Sequence, residues 1–262
     1  MKFVDQLNRE INLDKSPCRI VSLVPSQTEL LVDLGLNDKL VGITKFCIHP
    51  KETIKSITKI GGTKNFNLER IRSLNPDLII ANKEENEETK LKELMSEYPV
   101  WISDIKDLDD ALNMIEQVGA ITGKGEIANK LSKTINERFH QFASTSKTKK
   151  RVLYLIWKNP YMSVNKDTFI HDMINKCGWE NACPDTKKRY PELSIEEIIK
   201  LKPDNILLSS EPFPFKEKHI SELKEIIPNV TISIVDGEAF SWYGSRLLAS
   251  SDYFAKLLNE QQ

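Results

Sequence analysis

Cys47 and His49 are the two side chains whose types and spacing come closest to metal chemistry. They lie in the segment KFCIHP at residues 45–50. In an extended chain, residues two apart project to the same side, so the thiol and the imidazole would share a soft ion such as zinc or cobalt. Protein metal sites normally use three or four donors. The competing interpretation, which the missing donors favour, is that both side chains line a pocket or pack under a loop.

Aromatic and polar side chains are concentrated in predicted loops, a pattern typical of a site for a flat organic ligand. Rings bury a large area at low cost in conformational entropy, and a few polar groups then orient the ligand. The alternative is a local hydrophobic cluster, because many aromatic side chains belong to the core. The candidate ligand-binding residues are Phe46, Cys47 and His49; Thr63 and Lys64; Trp157 and Asn159; Tyr190; and Glu238, Phe240, Trp242, Tyr243 and Arg246.

The sequence contains no recognisable set of catalytic residues. It lacks the GxSxG, HExxH and GxGxxG patterns of serine hydrolases, zinc proteases and dinucleotide-binding enzymes. The segment GAITGKG at residues 119–125 resembles a phosphate-binding loop, but the spacing of its glycines is too short and no Ser or Thr follows its lysine. The sequence therefore favours a binding protein over an enzyme.

A motif that occurs twice indicates how the chain is organised. Residues 67–82 read NLERIRSLNPDLIIAN, and residues 194–209 read SIEEIIKLKPDNILLS. Each copy predicts a short helix that begins after a capping side chain, Asn67 or Ser194, ends before Pro-Asp, and leads into a buried strand. The chain is therefore expected to form two similar lobes.

Glu69 and Glu196 occupy the same position in the two copies, in the first turn of each predicted helix. A carboxylate there interacts favourably with the helix dipole, which is sufficient to explain each residue separately. Their symmetry supports a second interpretation. Two acids at equivalent positions of two lobes would dock onto two basic pockets of a partner with matching symmetry.

Composition excludes several classes of protein. A formal net charge of -1 provides no field for nucleic acid, and the short basic run at residues 147–151 is interpreted as a solvated linker. No apolar stretch reaches the length of about 18 residues that a membrane span needs. The first residues also lack the apolar run of a secretory signal. A cytoplasmic location is expected if Met1 is the native start, although a chain from which a leader was removed would look the same.

Strand and helix patterns alternate along most of the chain and predict an α/β fold with parallel or mixed sheets covered by helices. An apolar strand at residues 19–25 is followed by a helix in which Ser26 and Glu29 match the capping-box pattern. Residues 107–146 show helical spacing without a strand signal. We therefore expect an N-terminal lobe at residues 1–123, a connecting helix at 124–146 and a C-terminal lobe at 147–262.

These segments resemble the helical-backbone periplasmic binding proteins of ABC importers, and within them the cobalamin-binding branch. The resemblance is carried by RIVSLVPSQTELL (19–31), VGIT (41–44), the first copy of the repeat, FIHDMINKCGWEN (169–181) and YPELSIEEIIKLKPDNILL (190–208). It implies two Rossmann-like lobes joined by a long rigid helix, with the ligand held between them and no reaction catalysed. The implied ligand is cobalamin or a related metal chelate, with haem or a ferric siderophore as the alternative.

The resemblance also assigns roles to individual residues. It implies that Glu69 and Glu196 meet arginines on the membrane subunits of an importer, and that Phe46 and Tyr190 place rings against the corrin. Residues 238–242 fall in the other ligand loop, whereas Thr63 and Asn82 stand where the cobalamin-binding branch has tryptophan.

The loop that carries Cys47 and His49 differs from that branch as well, so both are candidate axial ligands to cobalt or iron. The family implies a periplasmic or cell-envelope location, and a leaderless cytoplasmic protein that handles corrinoids is the rival from another class. A monomer that binds no nucleic acid is expected.

Overall fold

The computed structural model describes residues 1–143, 149–184 and 187–260. The predicted boundary at residues 146/147 and part of the basic run lie outside this part of the chain. Two compact units are formed. Unit 1 comprises Met1–Ile105, Asp109–Asn136 and Trp242–Leu247, and unit 2 comprises Lys106–Leu108, Glu137–Ser241 and Leu248–Gln262. The predicted limits of the two lobes stay a proposal.

The strands and helices alternate as the sequence predicts. The strands are β1 (Lys2–Val4), β2 (Glu10–Asn12), β3 (Ile20–Ser22), β4 (Leu40–Ile43), β5 (Thr58–Lys59), β6 (Leu78–Asn82), β7 (Val100–Ser103), β8 (Arg151–Trp157), β9 (Tyr161–Ser163), β10 (Glu180–Asn181), β11 (Glu192–Leu193), β12 (Asn205–Ser209) and β13 (Thr231–Val235). The helices are α1 (Pro25–Asp33), α2 (Lys51–Ile54), α3 (Leu68–Ser73), α4 (Glu88–Met95), α5 (Leu108–Thr122), α6 (Gly125–Ala143), α7 (Phe169–Lys176), α8 (Ile195–Leu201), α9 (Glu217–Ile226), α10 (Gly237–Ser241) and α11 (Leu247–Glu260).

Unit 1 is built on a parallel sheet with the strand order β5-β4-β3-β6-β7. All residues of β3, β6 and β7 are buried, which explains their nearly continuous apolar sequences. The chain runs from β3 outward to β4 and β5, and then returns to the other side of β3 for β6 and β7. The order of the strands therefore reverses at β3, and ligands of open α/β sheets bind at the carboxyl ends of the strands beside such a point.

Unit 2 is built on a mixed sheet with the order β11-β9-β8-β12-β13, in which β10 also pairs with β8. Strands β8, β12 and β13 are parallel, whereas β9 runs antiparallel to both β8 and β11. The predicted class, α/β with parallel and mixed sheets, is confirmed.

The repeated motif forms the same local structure in both units. Asn67 accepts a hydrogen bond from the backbone N–H of Arg70, and Ser194 forms a capping box with Glu197. These contacts confirm the two predicted helix starts.

Two arginines complete the repeated structure: Arg19 immediately precedes β3, and Arg151 is the first residue of β8. The backbone N–H of Arg19 donates to Asp77 at 2.8 Å, and its guanidinium donates to the carbonyl of Leu74 at 2.6 Å. In unit 2, Arg151 donates in the same way to Asp204 at 2.7 Å and to Leu201 at 2.6 Å. The identical Asp therefore anchors the start of a strand, and the Arg satisfies the end of a helix.

Two local predictions are wrong. Helix α1 begins at Pro25, after Val24, and Ser26 makes no capping hydrogen bond. Proline fits the first helical position because its φ is already helical and that position needs no N–H donor. Residues 238–246 were predicted to be a loop, yet the first of them belong to α10.

The glycine-rich segment at residues 119–125 forms the junction of α5 and α6, where Gly119 lies against Ala128. In the described ranges, no helix combines the length and apolarity that crossing a bilayer requires.

Candidate functional site

The loops that follow the strands of unit 1 meet at one edge of its sheet, which we call the unit 1 edge. Because the strands are parallel, their carboxyl ends lie on the same side. Residues 44–50 follow β4, residues 60–67 follow β5, and residues 83–87 follow β6. Several predicted ligand-binding residues therefore share this edge.

Phe46 projects from the unit 1 edge, and the residue is 51% exposed. Its ring lies over Gly62, where an added Cβ would be 3.2 Å from Phe46 Cε2 and 3.7 Å from Lys45 Cε. The ammonium of Lys45 is 5.0 Å from the centroid of the ring, within the range of a cation–π interaction. A hydrogen bond of 2.7 Å from the Lys45 N–H to the Gly61 carbonyl joins the two loops. The exposed ring is thus supported from below by a residue without a side chain.

Cys47 points in the opposite direction, into the interior of unit 1. Its Sγ is 3.1 Å from Thr28 Oγ1 and 3.2 Å from Thr44 Oγ1. Burial raises the pKa of Cys47, which disfavours the thiolate that binds metals. In the described ranges, no three or more His, Cys, Asp and Glu side chains form a group able to hold a metal ion. This environment supports a packing role for Cys47.

His49 lies beside a segment that is distant in sequence. Its ring meets Trp242 edge-on, with 5.6 Å between centroids. The guanidinium of Arg246 covers the same Trp242 ring at 4.8 Å. Arg246 in turn donates two hydrogen bonds of 2.8 Å to the carboxylate of Glu29 on α1. Burial raises the pKa of Glu29, and the hydrogen bond and charge of Arg246 partly offset this effect.

Tyr243 forms a second attachment of this segment to unit 1. Its hydroxyl donates to Glu85 Oε1 at 2.7 Å, and burial together with the Glu85 charge raises the pKa of Tyr243 well above its ordinary value. Gly244 has a φ of +109°, and an added Cβ would lie 3.2 Å from the carbonyl oxygen of Ser26. We call residues 242–247 the strap, because Tyr243 and Arg246 fix it to unit 1. Trp242 and Tyr243 are buried, so both contribute mainly to this attachment.

Thr63 and Lys64 belong to a network that joins three loops of the unit 1 edge. The side-chain amide of Asn86 donates to the carbonyls of Leu23 and Thr63 at 3.1 and 3.0 Å. The ammonium of Lys64 donates to the carbonyls of Glu84 and Asn86. The network holds the loops after β3, β5 and β6 together.

Asn82 is buried beside this network and has a structural role. Its Oδ1 accepts hydrogen bonds from the backbone N–H groups of Glu84 and Glu85 at 2.8 and 3.0 Å. Asn82 thus shapes the loop after β6.

In unit 2, Trp157 is the last residue of β8 and is 40% exposed. Its ring packs against Phe213 at 5.6 Å, and Phe213 packs against Phe215 at 4.8 Å. The neighbouring Lys158 forms an ion pair with Glu222. The exposed indole is therefore supported by further rings, as Phe46 is supported by Gly62.

The remaining predicted residues of unit 2 have different environments. Tyr190 precedes β11 and is 38% exposed, and Asn159 is exposed in the turn after β8. Glu238 is half-buried in the first turn of α10. Phe240 is completely buried against Tyr154 and Phe254, at centroid distances of 5.0 and 4.7 Å. Its position is that of a core residue, because a ring with no exposed surface offers none to a ligand.

Exposure distinguishes three of the predicted aromatic residues from the rest. Among the Phe, Tyr and Trp residues whose exposure the structure describes, the exposed ones are Phe46, Trp157 and Tyr190. Each of these was predicted to contact a ligand from its place in the sequence.

Glu69 and Glu196 are both exposed, in the first turns of α3 and α8. Glu69 pairs with Arg72 at 2.5 Å, and Arg72 also pairs with Glu93 and Glu97 on or just after α4. In unit 2 the position equivalent to Arg72 is Ile199, which is exposed. Backbone and Ser194 hydrogen bonds lower the pKa of Glu196, so it is ionised at neutral pH. The two acids are thus alike in exposure and differ in their neighbours.

Sequence reasoning missed the partners that attach the strap. Glu29 was assigned to a capping box, and Glu85 and Asn86 were not considered. No local pattern reveals these contacts, because Glu29 and Arg246 are separated by 217 positions. The paired roles of Arg19 and Arg151 had a detectable signal, since each arginine comes directly before the apolar run of a predicted strand, IVSLV or VLYLI.

Comparison with known proteins gives consistent results. Residues 20–229 match the model of the family described as periplasmic binding protein. An uncharacterized ABC transporter substrate-binding lipoprotein of Bacillus subtilis is 31% identical over 213 residues, which cover 78% of this chain and 67% of the relative. A vitamin B12-binding protein of Vibrio parahaemolyticus is 30% identical over 194 residues, which cover 73% of this chain and 70% of the relative.

A solved structure supports the fold independently. The periplasmic haem-binding protein of Roseiflexus superposes with a TM-score of 0.81 over 95% of this chain and 100% of its own, at 22% identity. The family match covers most of the sequence, and the two sheets agree with the fold of that structure. The chain therefore belongs to the periplasmic binding protein family, whose members bind substrates for ABC transporters and catalyse no reaction.

Proposed function

We propose that this protein is the substrate-binding component of an ABC importer and that it binds cobalamin or a related metal chelate. The observation that carries the proposal is the exposure of Phe46, Trp157 and Tyr190 in loops predicted to contact a flat ligand. Exposed rings at the ends of sheet strands provide stacking surface for a macrocycle, and Gly62 and Phe213 fix two of them in place. The vitamin B12-binding relative supports cobalamin as the first ligand to test.

Haem or a ferric siderophore is the second candidate ligand. The haem-binding neighbour shares the fold alone, so it broadens the class of chelates without selecting one. The exposed rings suit either macrocycle. Direct ligation of cobalt or iron would fall to His49, because the sulfur of Cys47 faces the hydroxyls of Thr28 and Thr44.

Titration with three chelates tests the proposal. Purified protein is titrated with cyanocobalamin, hemin and ferrichrome, and tryptophan fluorescence and the visible spectrum of the ligand are recorded. We expect saturable one-to-one binding of one chelate. Phe46→Ala and Trp157→Ala should each raise the Kd by about 10-fold, because removing a stacked aromatic anchor costs on the order of 1–2 kcal/mol.

Ile127→Ala is the matched control, since Ile127 is an exposed apolar residue on α6, outside the predicted loops. Its affinity should equal that of the unmodified protein. Equal losses in all three variants would contradict the assignment of the rings, and failure of all three chelates to bind would contradict the ligand class.

We further propose that Glu69 and Glu196 dock the protein onto basic residues of the importer. Both side chains are exposed, and both lie in equivalent first turns. Docking would require Glu69 to break its ion pair with Arg72 and pair with a cation of the partner. Glu196 has no such pair to break at the equivalent position, which is occupied by Ile199. In a cell-envelope setting these acids would face the membrane subunits.

Separating transport from binding tests the docking proposal. Glu69→Gln and Glu196→Gln should each reduce ligand-stimulated ATP hydrolysis by the reconstituted importer, and the double variant should reduce it further. Ligand affinity should stay unchanged. Glu217→Gln is the control, because it removes an acid from the first turn of α9 instead. Full stimulation by the double variant would refute docking through these residues. Absence of stimulation by the unmodified, ligand-loaded protein would favour the rival role, a protein that handles corrinoids in the cytoplasm.

A further inference from the structure

We infer that the chelate bound at the unit 1 edge carries anionic groups, and that Lys45 and Lys64 select for them. The inference rests on the proposed function, because it specifies the charge of the ligand for the same site. Among the chelates of the proposed function, it favours those with peripheral carboxylates, such as haem or a corrinoid acid, over cobalamin, whose corrin side chains are amides.

Lys45 places a positive charge directly beside the exposed ring. Its side chain is exposed, and its ammonium lies 5.0 Å from the centroid of Phe46. In the part of the chain that the structure describes, this ammonium has the ring as its partner and no carboxylate. A flat ligand that stacks on Phe46 would therefore bring its edge close to a charge that the protein has not neutralised.

Lys64 adds a second charge of the same kind. Its ammonium donates to the backbone carbonyls of Glu84 and Asn86, which are neutral acceptors. Two carboxylates of unit 1 accept hydrogen bonds from the strap: Glu29 from Arg246, and Glu85 from Tyr243. The positive charge of Lys64 is thus held in place by dipoles and remains available to an anion.

Unit 2 provides a contrast. Lys158 is adjacent to the exposed Trp157, as Lys45 is adjacent to Phe46, but Lys158 is paired with the carboxylate of Glu222. A lysine beside an exposed ring is therefore neutralised in one unit and not in the other. Selection for an anionic ligand is assigned to unit 1 for this reason.

Pairs of ligands that differ only in peripheral charge test this inference. The probes are hemin and its dimethyl ester, and cobyrinic acid and its heptamethyl ester. The Lys45→Gln/Lys64→Gln double variant keeps hydrogen-bond donors at both positions. We expect it to bind the carboxylate forms about 10-fold more weakly, as for the loss of two exposed charge pairs, and to bind the esters with less than about a 2-fold change. Raising the salt concentration should weaken binding of the carboxylate forms to the unmodified protein.

The control variant is Lys39→Gln, which removes a positive charge at the amino end of β4, opposite the unit 1 edge. Its affinities should match those of the unmodified protein, and melting temperatures verify that each variant is folded. Equal binding of acids and esters by the unmodified protein, or equal losses for both in the double variant, would overturn this inference alone. If the unmodified protein binds none of the four probes and also fails to bind cyanocobalamin and ferrichrome, the proposed function fails as well.

Discussion

Replacing Arg246 by methionine should lower the free energy of unfolding by about 2–3 kcal/mol at neutral pH. The substitution keeps most of the side-chain volume but leaves the carboxylate of Glu29 without its two hydrogen bonds of 2.8 Å. Breaking a fully buried ion pair costs about 3–5 kcal/mol. We expect a smaller loss of stability, because the side chains of Arg246 and Glu29 are still 17% and 14% exposed. Urea denaturation at several pH values measures the effect.

The deficit should depend on pH in a defined direction. Burial already raises the pKa of Glu29 in the folded state above its ordinary value of 4.5, and loss of Arg246 would raise it further. A carboxyl group with a raised folded pKa takes up a proton on folding, so stability falls as the pH rises from the unfolded pKa through the folded pKa. The deficit of Arg246→Met should therefore be small below about pH 4.5 and reach its full value at neutral pH.

Two further variants separate this pair from a general effect of removing arginine. Arg138→Met breaks the exposed pair between Arg138 and Asp252 and should cost less than about 1 kcal/mol. Adding Glu29→Gln to Arg246→Met removes the buried charge and should recover part of the lost stability. A deficit for Arg246→Met no larger than that for Arg138→Met, or one independent of pH, would refute the role assigned to the pair.

Gly119→Ala should destabilise unit 1 by about 1–3 kcal/mol, the usual cost of overpacking. A Cβ at this position would lie 2.2 Å from Cβ of Ala128, whereas carbon atoms pack at about 3.5–4.0 Å. Helices α5 and α6 would have to separate. Alanine is about 1 kcal/mol more favourable than glycine in a helix, and the expected net destabilisation already includes this gain. Differential scanning calorimetry would show a fall in Tm of about 2–4 °C per kcal/mol.

The same helix junction provides the control. An added Cβ at Gly125 meets nothing within 4 Å, so Gly125→Ala should be neutral or slightly stabilising. Ala128→Gly introduced into the Gly119→Ala variant removes the clash and should restore most of the lost stability. If Gly119→Ala and Gly125→Ala behave alike, the close approach of the two helices is not a constraint on the sequence.

Local sequence patterns predicted the elements of this fold well. The two repeat helices begin at Asn67 and Ser194 as expected, because capping is a contact between residues three apart. The capping-box pattern of Ser26 and Glu29 also rests on a contact between residues three apart, but it predicted the wrong start for α1. It described hydrogen bonds that a neighbouring residue, Pro25, makes unnecessary by starting the helix two positions earlier.

The candidate site was predictable only in part. The sequence identified the loops, because exposed polar and aromatic residues follow apolar strands. It did not separate Phe46, which is half-exposed, from Phe240, which is completely buried. That difference depends on rings from α10, α11 and β8 packing together. Likewise, Arg246 was predicted to contact ligand, and the structure pairs it with Glu29, a residue no local pattern connects to it.

The strap has a consequence for how the protein is made. It lies near the C-terminus, between α10 and α11, yet it belongs to unit 1, whose sheet is encoded by the first 105 residues or so. On the ribosome, Glu29 and Glu85 emerge long before Arg246 and Tyr243. Unit 1 therefore acquires its final contacts only after Arg246 has been synthesised, and a gene fragment that stops after the first sheet would encode an incomplete unit.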